Sequence, residues 1–267
     1  MATQQRSIDT YIKSAYTQSG RWAKQTQFKA EVIQYCRGIQ SSNVASSMMM
    51  SSKSTKVIII GAPGIGKTSL LLRYCQDSFE SNYKSTIGVD FEVEKCSVLG
   101  QSLTLQLWDT AGAERFKGVT TSYFRGANVV VLVFDLTQHD ETLEKTKEWL
   151  LEARESCANE FELFLVGTKR DAVSEHRFES MMPTVLHYAS MHDAELWITS
   201  AKTGDNVAEL FQRIAIISME NLVMKELSRL RKDEIARQVQ LEKSTLIRIK
   251  VEDKSSSIDR RRECCLR

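Results

Sequence analysis

The pattern of apolar and polar positions changes character twice along the chain. Residues 1–55 carry no sustained apolar periodicity, and positions 41–55 are almost all Ser, Met, Asn, Thr and Lys. The expectation is a mobile, disordered extension with a short helix near Phe28–Cys36. From Lys56 the pattern alternates between strands and helices. Val57–Ile60 is wholly apolar and β-branched, which suits a central strand, and Lys67–Asp77 reads as a helix. Asp90–Val98 and Leu103–Trp108 alternate apolar with polar residues across the hairpin signal Leu99-Gly100-Gln101-Ser102. Val129–Phe134 is a second buried strand, Glu141–Cys157 a helix, Phe161–Val166 a strand, Glu175–Met191 a helix and Glu195–Ile198 a last short strand. A long amphipathic helix follows, with Val207, Leu210, Phe211, Ile214 and Ile217 on one face. Beyond about Arg231 that stripe is lost and the chain becomes a charged tail. Alternating strands and helices predict an α/β fold, a mostly parallel sheet with helices on both faces, and the hairpin adds one antiparallel edge strand.

Composition sharpens this division into three. At 267 residues, 42% hydrophobic and 26% charged, the chain is neither wholly disordered nor collagen-like, and its six cysteines are too few for a disulfide scaffold. The net charge of +2 conceals segregation: +5 over residues 1–55, −8 over 56–224 and +5 over 225–267. Overall charge therefore gives no case for a nucleic-acid polymer as partner. Cys36, Cys75, Cys96 and Cys157 have no metal-ligand spacing and read as free thiols. No apolar run approaches the roughly 20 residues that a membrane-spanning helix needs, and the N-terminus lacks an apolar signal core. Met48, Met49 and Met50, just before the folded part, could act as alternative starts, but a low-complexity linker is the better reading of them.

The chemistry is concentrated in short loops after the strands. Gly61-Ala62-Pro63-Gly64-Ile65-Gly66-Lys67-Thr68 fits G-x-x-x-x-G-K-[ST], with a buried strand before it and a helix after it. Glycines let successive backbone N–H groups turn toward phosphate oxygens, and the helix N-terminus adds partial positive charge. Lys67 supplies an ammonium for the β- and γ-phosphates, and the Thr68 hydroxyl is a hard ligand for Mg2+. The motif alone does not choose ATP or GTP. Thr168-Lys169-Arg170-Asp171 and Ser200-Ala201-Lys202 follow the next predicted strand ends, on the rim where open α/β sheets bind ligands. A carboxylate there accepts hydrogen bonds from guanine N1–H and N2–H2, which adenine cannot offer, so Asp171 favours guanine.

With Asp109-Thr110-Ala111-Gly112 after the strand Leu103–Trp108, and Thr86-Ile87-Gly88 before Asp90–Val98, the sequence resembles the Ras superfamily of small GTPases over roughly residues 54–225. Ile87-Gly88-Val89-Asp90-Phe91, Trp108-Asp109-Thr110-Ala111-Gly112 and Tyr123-Phe124-Arg125-Gly126-Ala127 resemble the Rab branch. The resemblance implies a P-loop small-GTPase fold, a six-stranded sheet of five parallel strands and one antiparallel edge strand. It implies a GTP/GDP site built from Gly61, Gly64, Ile65, Gly66, Lys67, Thr68, Ser69, Phe79, Thr86, Asp109, Gly112, Thr168, Lys169, Asp171, Ser200, Ala201 and Lys202. Within it Thr68 and Thr86 ligate Mg2+, and Asp109 holds it through water. The Gly112 N–H meets the γ-phosphate, Lys169 packs along the base, Phe79 stacks edge-on and the Ala201 N–H meets the guanine carbonyl. Lys67, Thr86 and Gly112 are the residues placed at the reacting phosphate. Ile87 with the aromatic triad Phe91, Trp108 and Tyr123 is the implied effector surface, a reading that overlaps with the less favoured one of plain core packing. Effectors, an exchange factor, a GTPase-activating protein, a GDP-dissociation inhibitor and a prenylation escort protein are the implied partners of a monomer.

Three positions depart from the family pattern. Ala113 stands where the family carries the glutamine that orients the attacking water, so slow intrinsic hydrolysis is expected unless a partner supplies the missing group. Thr168 replaces the usual asparagine of the base loop, which predicts weaker nucleotide binding and faster exchange. A Rab subgroup tied to the Golgi, macropinosomes, lysosome positioning and cilia is similar in carrying Ser or Thr there and in extending its N-terminus. Pro63 removes a backbone donor and stiffens the phosphate loop. At the C-terminus, Arg260-Arg261-Arg262-Glu263-Cys264-Cys265-Leu266-Arg267 resembles a Rab double-cysteine tail, with Cys264 and Cys265 as lipidation sites beside basic residues that favour an anionic leaflet. The expected function is a GTP-hydrolysing switch in vesicle traffic, acting on the cytoplasmic face of Golgi or endolysosomal membranes. The alternatives are a constitutively GTP-bound recruitment module and, less compatible with Asp171, a P-loop ATPase or kinase.

Overall fold

The computed structural model describes residues 30–41, 53–81, 86, 88–112, 121–157 and 160–263. Its elements in chain order are α1 (Ala30–Ser41), β1 (Ser54–Ile60), α2 (Lys67–Gln76), β2 (Val89–Val98), β3 (Gln101–Thr110), β4 (Val129–Asp135), α3 (His139–Ser156), β5 (Glu162–Thr168), α4 (Glu175–Met191), β6 (Glu195–Ile198) and α5 (Val207–Glu263). Short 3-10 turns lie at Thr121–Phe124, Leu136–Gln138 and Arg170–Ala172. The chain divides into two compact units, Met1–Glu220 and Asn221–Arg267.

In the first unit the six strands form one sheet in the order β2-β3-β1-β4-β5-β6. β1 lies parallel to β3 and β4, with Ile58 opposite Trp108 and Val130. β2 runs antiparallel to β3 at the edge. The sheet is therefore five parallel strands and one antiparallel edge strand. Both faces of its centre are covered, which is why β1 and β4 read as nearly continuous apolar runs. Ile58, Ile60, Val130, Leu132, Leu163 and Leu165 share one core with Leu143, Trp149, Leu150 and Ala153 of α3 and Met181, Met182 and Val185 of α4. The alternate positions Val57, Ile59, Val131 and Phe164 point to the opposite face. There α2 and α5 meet through Tyr74 and Phe211, stacked 4.1 Å apart. The β2–β3 turn is shorter than the four-residue signal suggests. Leu99 (φ 51°) and Gly100 (φ 70°) form it alone, and left-handed conformation at both central residues matches the twist of a two-residue hairpin.

Of residues 1–55 the structure describes 30–41 and 53–55, and the expected mobile extension otherwise lies outside the described residues. The expected helix falls at Ala30–Ser41, and Val32 and Cys36, one turn apart, are buried. Burial raises the pKa of the Cys36 thiol, and the nearby Lys53 charge opposes that shift. The Lys53 ammonium in turn lies 4.0 Å from Met219 Sδ on α5. α1 is thus packed on the first unit just ahead of β1. Strand β1 begins at Ser54, three residues earlier than the sequence pattern places it. In the second unit the chain stays helical to Glu263, well past the point where the apolar stripe ends. The described side chains from 228 to 241 are exposed there. Among the described residues no helix is long and apolar enough to cross a membrane.

The short edge strand β6 is fixed to α5 by a buried ion pair. Arg213 Nε donates to Glu195 Oε1 at 2.9 Å and Nη2 donates to Oε2 at 3.0 Å. Trp197 Nε1 also donates to Oε1, at 3.1 Å. Removing one partner would leave a buried charge uncompensated. Arg213→Ala is expected to cost about 3–5 kcal/mol of unfolding free energy. Denaturant unfolding of the nucleotide-bound protein checks this, and a loss below about 1 kcal/mol, the size of a surface pair, would contradict it.

Candidate functional site

The loops that leave the carboxyl ends of β1, β3, β5 and β6 enclose a cleft of about 490 Å³. Its lining includes Pro63, Gly64, Lys67, Thr68, Ser69, Phe79, Thr86, Gly112, Thr168, Lys169, Asp171, Ala201 and Lys202. The motifs scattered over 140 residues of sequence therefore converge on one side of the sheet. The phosphate loop owes its shape to glycine. Gly61, Gly64 and Gly66 all have positive φ, of 141°, 73° and 98°, a region that other residues enter only with strain. Gly112 is required for space instead, since a Cβ there would lie 2.5 Å from the Ala62 carbonyl carbon and the Pro63 nitrogen.

The chain's own groups stand in for charges that the loop is built to meet. Lys67 is 5% exposed, and its ammonium donates to the carbonyls of Gly61 and Ala62 at 2.9 Å each. Burial lowers its pKa from 10.5 to about 8, against the pull of Asp109. The Thr68 hydroxyl donates to Asp109 Oδ2 at 2.5 Å and lies 2.8 Å from Thr86 Oγ1. Asp109 is fully buried, and that burial raises its pKa to about 6 despite help from Thr68 and Lys67. Its Oδ1 is buried with no hydrogen-bond partner among the described residues. Two hydroxyls around a carboxylate with a spare oxygen are the hard donors that Mg2+ prefers, so the residues present fit that ion.

Two further loops form the other end of the cleft. Asp171 Oδ1 accepts from Ser200 Oγ at 2.6 Å, and Lys202 Nζ lies 3.9 Å from Asp171 Oδ2. Lys169, held at φ 60°, donates to the Gly64 carbonyl at 2.8 Å and to Asp135 Oδ2 at 2.5 Å. The buried Thr168 hydroxyl lies 2.5 Å from the Ile65 carbonyl and 3.1 Å from that of Phe134. A threonine can thus fasten the base loop to the phosphate loop, although its single proton serves one acceptor at a time.

A sequence profile of the Ras family matches residues 56–219. The chain belongs to the Ras family. It is 45% identical over 178 residues to Ras-related protein Rab-36 of Homo sapiens, covering 66% of each chain. It is 45% identical over 178 residues to Ras-related protein Rab-34 of Homo sapiens, covering 66% of this chain and 68% of the relative. To Ras-related protein Rab-13 of Canis lupus familiaris it is 39% identical over 160 residues, covering 60% and 77%. The chain spans about two thirds of the length of the first two of these relatives. Within the Ras family it is therefore a Rab-type small GTPase.

Of the three Rab-type aromatics, Phe91 is exposed, whereas Trp108 and Tyr123 are half-buried and Trp108 packs against the core. Phe91 and Trp108 are cross-strand partners with ring centroids 4.7 Å apart, and Tyr123 lies 5.4 Å from Trp108. Phe91 is 48% exposed and Val93 46% exposed. The Lys56 ammonium sits 4.6 Å over the Trp108 ring. Strand β2 is thus turned with its apolar residues outward, while Glu94 faces α2 and accepts a hydrogen bond from Cys75. Core packing alone does not explain that orientation.

Sequence reasoning missed two residues of this Ras-family site. Asp135 ends the apolar strand β4 and binds both Lys169 and the Thr137 N–H. An acid closing a buried strand at the binding rim is a signal that could have found it. Arg73 on α2 reaches the carbonyls of Ala201 and Lys202, and no local pattern marks it. Ile87, Ala113, Cys264 and Cys265 lie outside the described residues.

The depressed Lys67 pKa has a pH consequence. The nucleotide-free protein carries the ammonium below about pH 8 and loses it above. Phosphate oxygens favour the charged form, so GDP affinity should fall as pH rises through that value. Calorimetric titration of nucleotide-free protein from about pH 7 to about pH 9.5 checks this, and an affinity independent of pH would refute it.

Proposed function

We propose that this Rab-type chain is a GTP-hydrolysing switch of membrane traffic. The observation that carries the reading is the convergence on one cleft of a buried ammonium, Thr68 backed by the buried Asp109 carboxylate with its spare oxygen, and Asp171 held by Ser200. In this reading Lys67 and the N–H groups opening α2 bind the β- and γ-phosphates. Ser69 is a further contact beside them. Asp171 reads guanine N1–H and N2–H2, the Ala201 N–H reads the carbonyl, and Lys169 and Phe79 enclose the base. Thr68, Thr86 and Asp109 would hold Mg2+, which when bound neutralises phosphate charge. The γ-phosphate contacts of Thr86 and Gly112 favour one arrangement of their segments, and loss of that phosphate releases them. The reaction is in-line attack of water on the γ-phosphate, mostly a matter of positioning and electrostatics.

Ile87 and the triad of exposed Phe91 with half-buried Trp108 and Tyr123 would recruit effectors in the GTP state. Exchange factor, GTPase-activating protein, GDP-dissociation inhibitor and escort protein are proposed from the family alone. Prenylation of Cys264 and Cys265, with the basic residues before them, would anchor the chain on the cytoplasmic face of endomembranes, Golgi or endolysosomal. Two chains give stable attachment where one is marginal, at about 0.8 kcal/mol per buried CH2. Loss of membrane partitioning in Cys264→Ser/Cys265→Ser is the expected result in fractionated cells. A variant that stays with the membrane pellet would rule the anchor out.

Ala113 favours a second reading, a recruitment module that holds GTP with negligible turnover. Methyl neither donates nor accepts a hydrogen bond, so the attacking water lacks its usual guide. Single-turnover hydrolysis should be about tenfold or more faster for Ala113→Gln than for the natural chain, as expected when a water-positioning group is restored. Equal rates would remove the argument from Ala113. Detectable turnover of the natural chain with an activating partner favours the switch, and none with any partner favours the module.

A further inference from the structure

We propose that Arg73 is a positioning residue for guanine, fixing the base-reading loop to the helix that carries the phosphate loop. This rests on the reading above in which the Ala201 N–H meets the guanine carbonyl. Arg73 lies on α2, six residues after Lys67. Its Nε donates to the Ala201 carbonyl at 2.7 Å and its Nη2 to the Lys202 carbonyl at 3.1 Å. Its Nη1 donates to both the backbone carbonyl and Oδ1 of Asp77 at 3.0 Å. The side chain is 18% exposed, and its Cδ lies 3.9 Å from where a Cβ would stand on Gly204 in the same loop.

A helix-surface ion pair to Asp77 would not need this arrangement. Asp77 is 90% exposed, and such a pair contributes little. The planar fork instead occupies two successive carbonyls of a loop 128 residues away in sequence. With both carbonyls held, the peptide planes on either side of Lys202 have fixed directions, and the Ser200 carbonyl, in the same peptide plane as the Ala201 N–H, accepts from the Gly204 N–H at 2.8 Å. Ser200 is fixed from the other side by Asp171, and the Ser200 N–H bonds to the Asp205 carbonyl at 3.1 Å. The Ala201 N–H is therefore aimed by Arg73 and Ser200 together. The third donor group acts on the opposite wall of the base pocket. Asp77 closes α2 at φ 50°, and Phe79, two residues on, lines the cleft. One guanidinium thus braces both the wall that stacks on the base and the wall that reads it. A lysine could fill the same space, but a single ammonium cannot span two carbonyls in a fixed fork.

The test is nucleotide dissociation from the full Mg2+-loaded chain, displaced by excess GTP, with three probes: GDP, 6-thioguanosine diphosphate and inosine diphosphate. Sulfur at position 6 weakens the contact to the Ala201 N–H, whereas the missing amino group of inosine weakens the contact to Asp171. Arg73→Ala and Arg73→Lys should both release GDP about tenfold or more faster, the effect of losing charge-assisted hydrogen bonds. In both variants the rate ratio between the thio analogue and GDP should shrink toward one, while the ratio for inosine stays near that of the natural chain. Asp77→Ala should leave the thio ratio intact. If Arg73→Ala does not fold, Arg73→Lys, which keeps charge and stem, decides alone. An unchanged thio ratio overturns the proposal, and so does an equal collapse of both ratios, which would mark general loosening. A natural chain that shows no preference for oxygen over sulfur overturns the Ala201 reading itself, and the proposal with it.

Discussion

The arrangement depends on a charge that the fold cannot satisfy by itself. An ammonium taken out of water is costly unless it meets an anion, yet Lys67 is almost wholly buried and, among the described residues, bonds to two carbonyls of its own loop. On the other side of the same hollow, Asp109 is buried as a carboxylate beside two hydroxyls. Each group is pushed toward its neutral form by burial. The parallel sheet makes this tolerable because it supplies a rigid rim on which both are held ready for opposite charges on a ligand. The glycines at φ 141°, 73° and 98° follow from the same demand. They turn the backbone so that donors rather than side chains line the hollow.

A second constraint shapes the edge of the sheet. β2 has one side against α2 and the other open, and the strand turns its polar residues toward the helix. Glu92 and Glu94 raise the pKa of the Cys75 thiol there to about 12, with burial the larger cause, so the thiol stays protonated. The apolar residues consequently gather outside around Trp108. A strand that turns Glu92 and Glu94 inward and displays a phenylalanine is poorly designed for solvent and well designed for a partner.

The central strands were readable because they are buried on both faces, and Val57–Ile60 and Val129–Phe134 leave no other choice. Helix α4 and strand β6 fall where the pattern places them, because apolar periodicity and flanking polar residues agree. The chemistry of the cleft was readable because few residue types can bind phosphate, Mg2+ and guanine, and each sits at a strand end. Long-range geometry was not. Nothing near Arg73 in sequence announces that its partners are Ala201 and Lys202, and alternation along β2 cannot say which face is buried. The length of α5 escaped notice because an apolar stripe is not the only support a helix can have. Arg229 pairs with Glu226 and Asp233, and Arg237 with Glu234, at the three- and four-residue spacings that stabilise exposed helices. Helix α1 was expected, but its extent to Ser41 was not legible, because two buried residues, Val32 and Cys36, are too few to make a pattern.

The placement of α1 gives the domain two poles. Its buried Cys36 lies by Lys53, at the start of β1, whereas the phosphate loop leaves from Ile60 at the other end. Seven residues of strand separate them, roughly 20 Å of extended chain. A partner that gripped this helix would hold the molecule by the end that nucleotide does not touch. Its grasp would survive a full cycle of loading and release, as a handle stays in the hand while the blade opens and shuts.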